Sequence, residues 1–198
     1  MNSGSSNPLG ITRCGNMEFK WGQRTYIMGV VNVDPDSFSG DGLCDADTAI
    51  AQGKRFVSEG ADIIDVGGES TRPNAIPISI DEELRRVIPV IEKLTKELPV
   101  PVSIDTYKSE VARGAVAVGA KMINDVWELK RDTKLARVAA EADVPLVISQ
   151  NQRESRFQDF FPELIASLKR SIQIALDAGV NWHNIIIDPG VGFGKTVE

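Results

Sequence analysis

Asp105, Asn124 and Asp188 each close a short apolar run, at Val100-Pro-Val-Ser-Ile-Asp105, Lys121-Met-Ile-Asn124 and Ile185-Ile-Ile-Asp188. Two further runs stop in the same way, Tyr26-Ile-Met-Gly-Val-Val-Asn32 and Ala61-Asp-Ile-Ile-Asp65, and Asp125 directly follows Asn124. Short β-branched runs between helical stretches read as buried parallel strands. Polar residues that recur where such strands end share one rim, where a ligand can sit. Two carboxylates and an amide converging there suit a heterocycle that presents an amino group and ring N–H donors. A single Asp at a strand end is most often a cap for the next helix. That plainer reading is kept open for Asp65 and Asp125, and is weaker for the other three as a set.

The loops after these strands carry further candidates. Asn32-Val-Asp-Pro-Asp-Ser-Phe-Ser-Gly-Asp-Gly42 offers oxygen ligands for a cation at Asn32, Asp34, Asp36 and Ser37, although its spacing is not that of an EF-hand and a solvated turn has the same composition. Gly40 and Gly42 permit movement. Asp65-Val-Gly-Gly-Glu-Ser-Thr-Arg-Pro-Asn-Ala-Ile-Pro77 is long for a βα connection, and its Arg72 can clamp an anion. Asp188-Pro-Gly-Val-Gly-Phe-Gly-Lys-Thr196 invites a nucleotide-binding reading that the spacing rejects. Pro189 stands where a Walker A loop needs Gly, and Lys195 where a dinucleotide fingerprint needs Gly. Its backbone N–H groups can still meet an anion, and Phe193 can face a flat ligand.

The elements that position these residues follow from periodicity. Apolar residues at Leu84, Val87, Ile88, Ile91, Leu94 and Leu98 have helical spacing, as do Phe161, Leu164, Ile165, Leu168, Ile172 and Ala175. Weaker helices fit 46–59, 108–118 and 133–142. Residues 1–16 read as a flexible N-terminus. The segment from Met17 to Thr25 reads as a small hairpin turning near Gly22. Gly60-Ala-Asp-Ile-Ile-Asp65 recurs as Gly119-Ala-Lys-Met-Ile-Asn124, and more loosely from Gly179, so each Gly sits where a helix ends in a left-handed cap before the next strand. With a strand at Pro145-Leu-Val-Ile-Ser149, six parallel strands and five connecting helices are expected in an α/β domain over 17–198. Six units are too few for a closed (β/α)8 barrel, which takes about 250 residues. A doubly wound sheet is the alternative.

Composition excludes several classes. The chain has 22 basic and 28 acidic residues, a net charge of −6, with no basic block to mark a nucleic-acid partner. No stretch is apolar enough for a membrane span or a signal peptide, so no membrane association and a cytoplasmic location are expected. Cys14 and Cys44 are too few for a disulfide framework, and the single His183 rules out a His-rich metal cage. Any metal is held by oxygens, which favours Mg2+. Trp182 and His183 lie in a helix-to-strand connection on the opposite rim and read as structural.

Taken together and in this order, Asn-Val-Asp-Pro-Asp-Ser-Phe-Ser, Asp-Val-Gly-Gly-Glu-Ser-Thr-Arg-Pro, Ser-Ile-Asp-Thr-Tyr, Ile-Asn-Asp-Val and Asp-Pro-Gly-Val-Gly-Phe-Gly-Lys closely resemble the dihydropteroate synthase family. The resemblance covers roughly residues 17–196. It implies a TIM (β/α)8 barrel, incomplete here at about six βα units, and a transferase that joins 4-aminobenzoate to 6-hydroxymethyl-7,8-dihydropterin diphosphate in folate biosynthesis. By the same resemblance, Asp105, Asn124 and Asp188 hold the pterin, and Asn32 places Mg2+ and diphosphate. Phe38, Thr71, Arg72, Pro73 and Phe193 shape the aminobenzoate side, while Asn32, Asp36, Arg72 and Asp105 carry the chemistry. Two departures stand out. Ser149-Gln150 replaces the family's common Met-His, and the sequence stops at Glu198, short of two further βα units and of the late helices that usually form the family's homodimer. The rival readings are a pterin-dependent methyltransferase, which lacks the Ser-Phe-Ser and Glu-Ser-Thr-Arg-Pro loops, and a non-catalytic pterin-binding module.

Overall fold

The computed structural model describes residues 10–33, 46–70, 75–151, 159–193 and 195. An antiparallel hairpin of β1 (Ile11–Cys14) and β2 (Met17–Lys20) precedes six parallel strands. These are β3 (Met28–Asn32), β4 (Ile63–Gly67), β5 (Val102–Asp105), β6 (Met122–Asp125), β7 (Leu146–Ser149) and β8 (Ile185–Asp188). Between them run α1 (Ala46–Ser58), α2 (Ile80–Glu97), α3 (Ser109–Ala117), α4 (Lys134–Ala142) and α5 (Phe160–Asp177). The strands neighbour one another in sequence order from β3 to β8. A doubly wound sheet reverses its order at a switch point. None occurs here, so the sheet is a run of barrel staves.

Alternate residues on the strands divide between two apolar layers. Ile64, Val66, Ile104, Ile123, Leu146 and Ile148 pack outwards on Val87, Ile91 and Leu94 of α2, Val111 and Ala115 of α3, and Leu135 of α4. Each side chain of that size contributes about 1.5–3 kcal/mol when fully buried. Helix α2 starts cleanly because the Ser79 hydroxyl accepts from the Glu82 N–H at 3.2 Å. On the inner face, Ile63, Met122 and Val147 cluster with Cys14 and Phe19 of the hairpin. The hairpin therefore fills the barrel at the N-terminal ends of the strands. Polar residues are left to line the other end.

Three expectations change. The hairpin turns at Gly15 (φ +61°), with Ile11–Cys14 as its first strand, so ordered structure reaches into the segment read as a flexible N-terminus. Gly22 (φ +83°) turns the chain out of β2 instead. Strand β4 runs on to Gly67, so Asp65 lies within it and not at its end. The repeat glycines Gly60, Gly119 and Gly179 all take positive φ, as the capping argument requires. Trp182–Asn184 forms a single 3-10 turn, and Thr12 Oγ1 donates to the His183 carbonyl at 2.8 Å, which ties this rim to the hairpin in a structural role. Among the described residues no helix is long and apolar enough to cross a membrane.

Candidate functional site

One register row across the sheet reads Asn32, Gly67, Asp105, Asn124. Because Asp105 and Asn124 are paired neighbours on parallel strands, both project from the inner face at the C-terminal end. One inner-face step below, Asp65 pairs in register with Ser103. On the last two strands, Ser149 pairs with Asp188. The three residues expected to share a pocket therefore lie on one inner rim. Asp125 faces the other way and accepts from the backbone N–H groups of Trp127 (2.8 Å) and Leu129 (2.6 Å), so the capping reading changes for it from a cap on the next helix, which starts only at Lys134, to a cap on the turn after β6. It fails for Asp65, which is buried inside the barrel and accepts from Asn124 Nδ2 at 2.8 Å.

Both oxygens of Asp188 are engaged. Oδ2 accepts from Ser149 Oγ at 2.7 Å, and Oδ1 from the Gly190 N–H at 2.7 Å. Position 190 must be glycine. Its φ is +68°, and a Cβ there would fall 1.9 Å from the Gln150 carbonyl oxygen. Lys195 Nζ closes this loop by donating to the carbonyls of Gln150 and Gly190, each at 2.9 Å. Phe193 is half-buried beside it, its N–H donating to the Gly190 carbonyl at 3.0 Å.

Asp105 differs from Asp188. Its Oδ1 is buried with no hydrogen-bond partner among the described residues. Burial first, and then the negative charges of Asp65, Asp125, Glu83 and Glu69, push it well above the ordinary carboxylate range. Burial also pushes Asp65 up, opposed by the Asn124 amide and the nearby Ser103 hydroxyl. A donor-rich or cationic ligand relieves both groups at once. Across Gly67, an added Cβ would lie 3.4 Å from Asp105 Oδ2 and 3.7 Å from Asn32 Oδ1, so only a missing side chain separates these two oxygens.

Behind the rim, Lys108 Nζ donates to Glu83 Oε2 (2.6 Å), Glu69 Oε2 (2.7 Å) and the Ile78 carbonyl (2.7 Å). This buried cation joins α2 to both flanks of the loop after β4. Asp65 and this ion cluster were not picked out from sequence as site residues, and Ser149 was noted only as a departure from the family's common Met, not as the partner of Asp188. Asp65 carried a signal, as the one charged residue inside the otherwise apolar strand Ile63–Gly67. The calls on Asp34, Asp36, Ser37, Phe38, Thr71, Arg72 and Pro73 lie outside the described residues.

Comparison with known proteins adds to this geometry. Residues 28–198 match the pterin binding enzyme family. The dihydropteroate synthase of Clostridium beijerinckii is 48% identical over 187 residues, 94% of this chain and 70% of the relative. The chain belongs to the dihydropteroate synthase family of pterin-binding enzymes. The Bacillus subtilis dihydropteroate synthase is 53% identical over 88% of this chain, and the chain spans only 61% of that relative's length. A crystal structure of the Clostridium difficile dihydropteroate synthase in the presence of pteroic acid superposes with a TM-score of 0.85 at 50% identity, over 90% of this chain and 68% of that one. The sequence-ordered sheet is thus part of a TIM barrel wall, as the motifs implied.

Proposed function

We propose that the protein condenses 4-aminobenzoate with 6-hydroxymethyl-7,8-dihydropterin diphosphate and releases diphosphate, as in folate biosynthesis. The observation that carries this reading is the acceptor-rich inner rim of Asp105, Asn124 and Asp188, whose chemistry matches the amino and ring N–H donors of a pterin. The C–O bond to diphosphate breaks, the amine nitrogen forms a bond to the pterin methylene carbon, and the amine loses a proton. Positive charge develops on the methylene and spreads into the pterin, where the carboxylate of Asp105 stabilises it electrostatically. The aromatic amine needs positioning more than activation. In this reading Phe38, Thr71, Arg72, Pro73 and Phe193 shape its side of the site, and Asp36 and Arg72 serve the departing diphosphate.

Among the described residues no three His, Cys, Asp or Glu side chains gather as a metal cage. An exposed amide at the rim nevertheless fits Mg2+, which keeps water and substrate phosphate in its shell and needs few protein ligands. We assign that ligand to Asn32. Bound there, Mg2+ would neutralise charge on the leaving diphosphate. The test measures diphosphate release with and without 4-aminobenzoate, beside pterin binding, for this chain and for a version extended to the length of its relatives. Pterin binding by the extended version without aminobenzoate-dependent diphosphate release would leave a pterin-binding protein in place of a synthase.

A further inference from the structure

The bond from Asn124 Nδ2 to Asp65 Oδ2, 2.8 Å long, joins β6 to β4 across the intervening β5. It lies inside the barrel, with Asp65 only 1% exposed and Asn124 partly open above it. In this bond Asp65 Oδ2 is the acceptor, so the NH2 end of the Asn124 amide faces Asp65. The carbonyl end is thereby turned away from Asp65. Asp105 and Asp188 on either side are also acceptors.

We propose that Asp65 is a positioning residue that sets the hydrogen-bond polarity of the site, by holding the Asn124 amide with its carbonyl oxygen towards the ligand. The proposal rests on the pterin-binding reading and adds the reason for its selectivity. Without Asp65 an asparagine amide can rotate to suit donor or acceptor alike. With it, Asp105, Asn124 and Asp188 all turn oxygens towards the ligand, and a ligand edge that carries oxygen in place of an amino group meets unpaired oxygens. A site built to bond a donor rejects such an analogue strongly, because buried groups are left unpaired. Asp65 need not touch the ligand. Its Oδ1 is buried and without a hydrogen-bond partner among the described residues, beneath the level at which Asp105 and Asn124 open.

The decisive variant is Asp65→Asn, which keeps the shape but can donate to Asn124 Oδ1 and so let the amide turn round. Two measurements on the 198-residue chain test it. In nitrogen-15 spectra, with the Asn124 side-chain resonance assigned by its loss in Asn124→Asp, hydrogen exchange of that NH2 is expected to be at least about tenfold slower than for exposed side-chain amides, and to speed up in Asp65→Asn. Exchange in the parent as fast as for an exposed amide overturns the proposal, whether or not any ligand binds. In calorimetry, 6-hydroxymethylpterin is compared with the lumazine that carries oxygen in place of its 2-amino group. The parent is expected to prefer the pterin, and Asp65→Asn to narrow that preference by about tenfold. Equal losses for both ligands would mark Asp65 as merely structural and also overturn the proposal. If Asn124→Ala and Asp188→Ala leave pterin binding unchanged, the functional reading falls separately, while the exchange measurement still decides the Asn124 geometry.

Discussion

Ser149 holds Asp188 from the neighbouring strand, its hydroxyl donating to Oδ2 at 2.7 Å while the Gly190 N–H takes Oδ1. The carboxylate is fixed before any ligand arrives, so ligand binding need not order it. Asp188→Ala is therefore expected to weaken pterin binding by about 1–3 kcal/mol, because a ligand donor loses its acceptor. Ser149→Ala leaves the carboxylate in place and should cost about 0.5–1.5 kcal/mol. Titration calorimetry gives both values. A folded Asp188→Ala protein that binds pterin like the parent would remove Asp188 from the site.

Gly67 separates Asp105 from Asn32, and the second prediction concerns that gap. A methyl group there would sit 3.4 Å from Asp105 Oδ2 and 3.7 Å from Asn32 Oδ1, at ordinary contact distances. Gly67→Ala should fold normally, yet place a methyl between the pterin side and the proposed diphosphate side. A substrate joining the two sides is displaced, at a cost of about tenfold to a hundredfold in turnover. Unchanged kinetics in an extended, active version would show that the substrate does not pass between these residues.

The strand-end pattern made much of this legible. Apolar runs that stop on Asp105 and Asp188 do end strands, Asn124 lies one residue before the end of its own, and parallel strands in sequence order put those ends on one rim. Side-chain direction was harder to read. Asp125 follows Asn124 by one residue and so faces the opposite side of the sheet, whereas Asp65 lies two residues before the end of β4 and stays on the inner face. A one-residue uncertainty in a strand end reverses such an assignment. The Lys108 cluster could not be read at all, since its partners are 25 and 39 positions away and meet only through the packing of α2 on the sheet. The hairpin was misplaced because Gly15 and Gly22 are equally good turn residues, and strand pairing chose between them.

Asp125 gives the protein an unusual pH response. Burial raises its pKa from 3.8 to about 6, against the opposing pull of the Trp127 and Leu129 N–H groups. Between those two values the folded state holds more proton than the unfolded chain, so stability falls as pH rises through the window, by at most about 3 kcal/mol. Asp65 and Asp105, both raised, act in the same direction. The lowered carboxyls of Asp62 and Glu82 act oppositely, but only below about pH 4.5. Urea unfolding from about pH 5 to 7 should show declining stability in the parent and a shallower decline in Asp125→Asn. Parallel curves would show that Asp125 ionises normally.

Lys108→Met should be among the most damaging single changes outside the rim. Lys108 and Glu83 are both buried, and removing the cation leaves the Glu83 and Glu69 carboxylates facing each other without compensation. Breaking one side of a buried ion pair costs about 3–5 kcal/mol. Adding Glu83→Gln should restore part of that loss, because one unpaired charge is then gone. Denaturation midpoints for the single and double variants measure the coupling. Additive losses would mean that the charges do not interact.

The sheet itself sets the last expectation. Among the described strands, β3 and β8 each pair on one side only, and their flanks expose Val30 (45%) and Ile187 (51%). Beside β8 a cavity of about 200 Å³ opens between Thr12, Trp21, Ile172, Trp182, His183 and Ile187. Unpaired N–H and C=O groups beside apolar surface are a template for pairing with another chain. Produced as this 198-residue polypeptide, the protein should self-associate and form no measurable dihydropteroate. Extension to the length of its relatives should cover the β8 edge and restore both monodispersity and turnover. Sedimentation velocity and a dihydropteroate assay, run on both lengths, test the two halves together. A monomeric 198-residue chain with turnover comparable to the extended one would show that six staves suffice to hold the site.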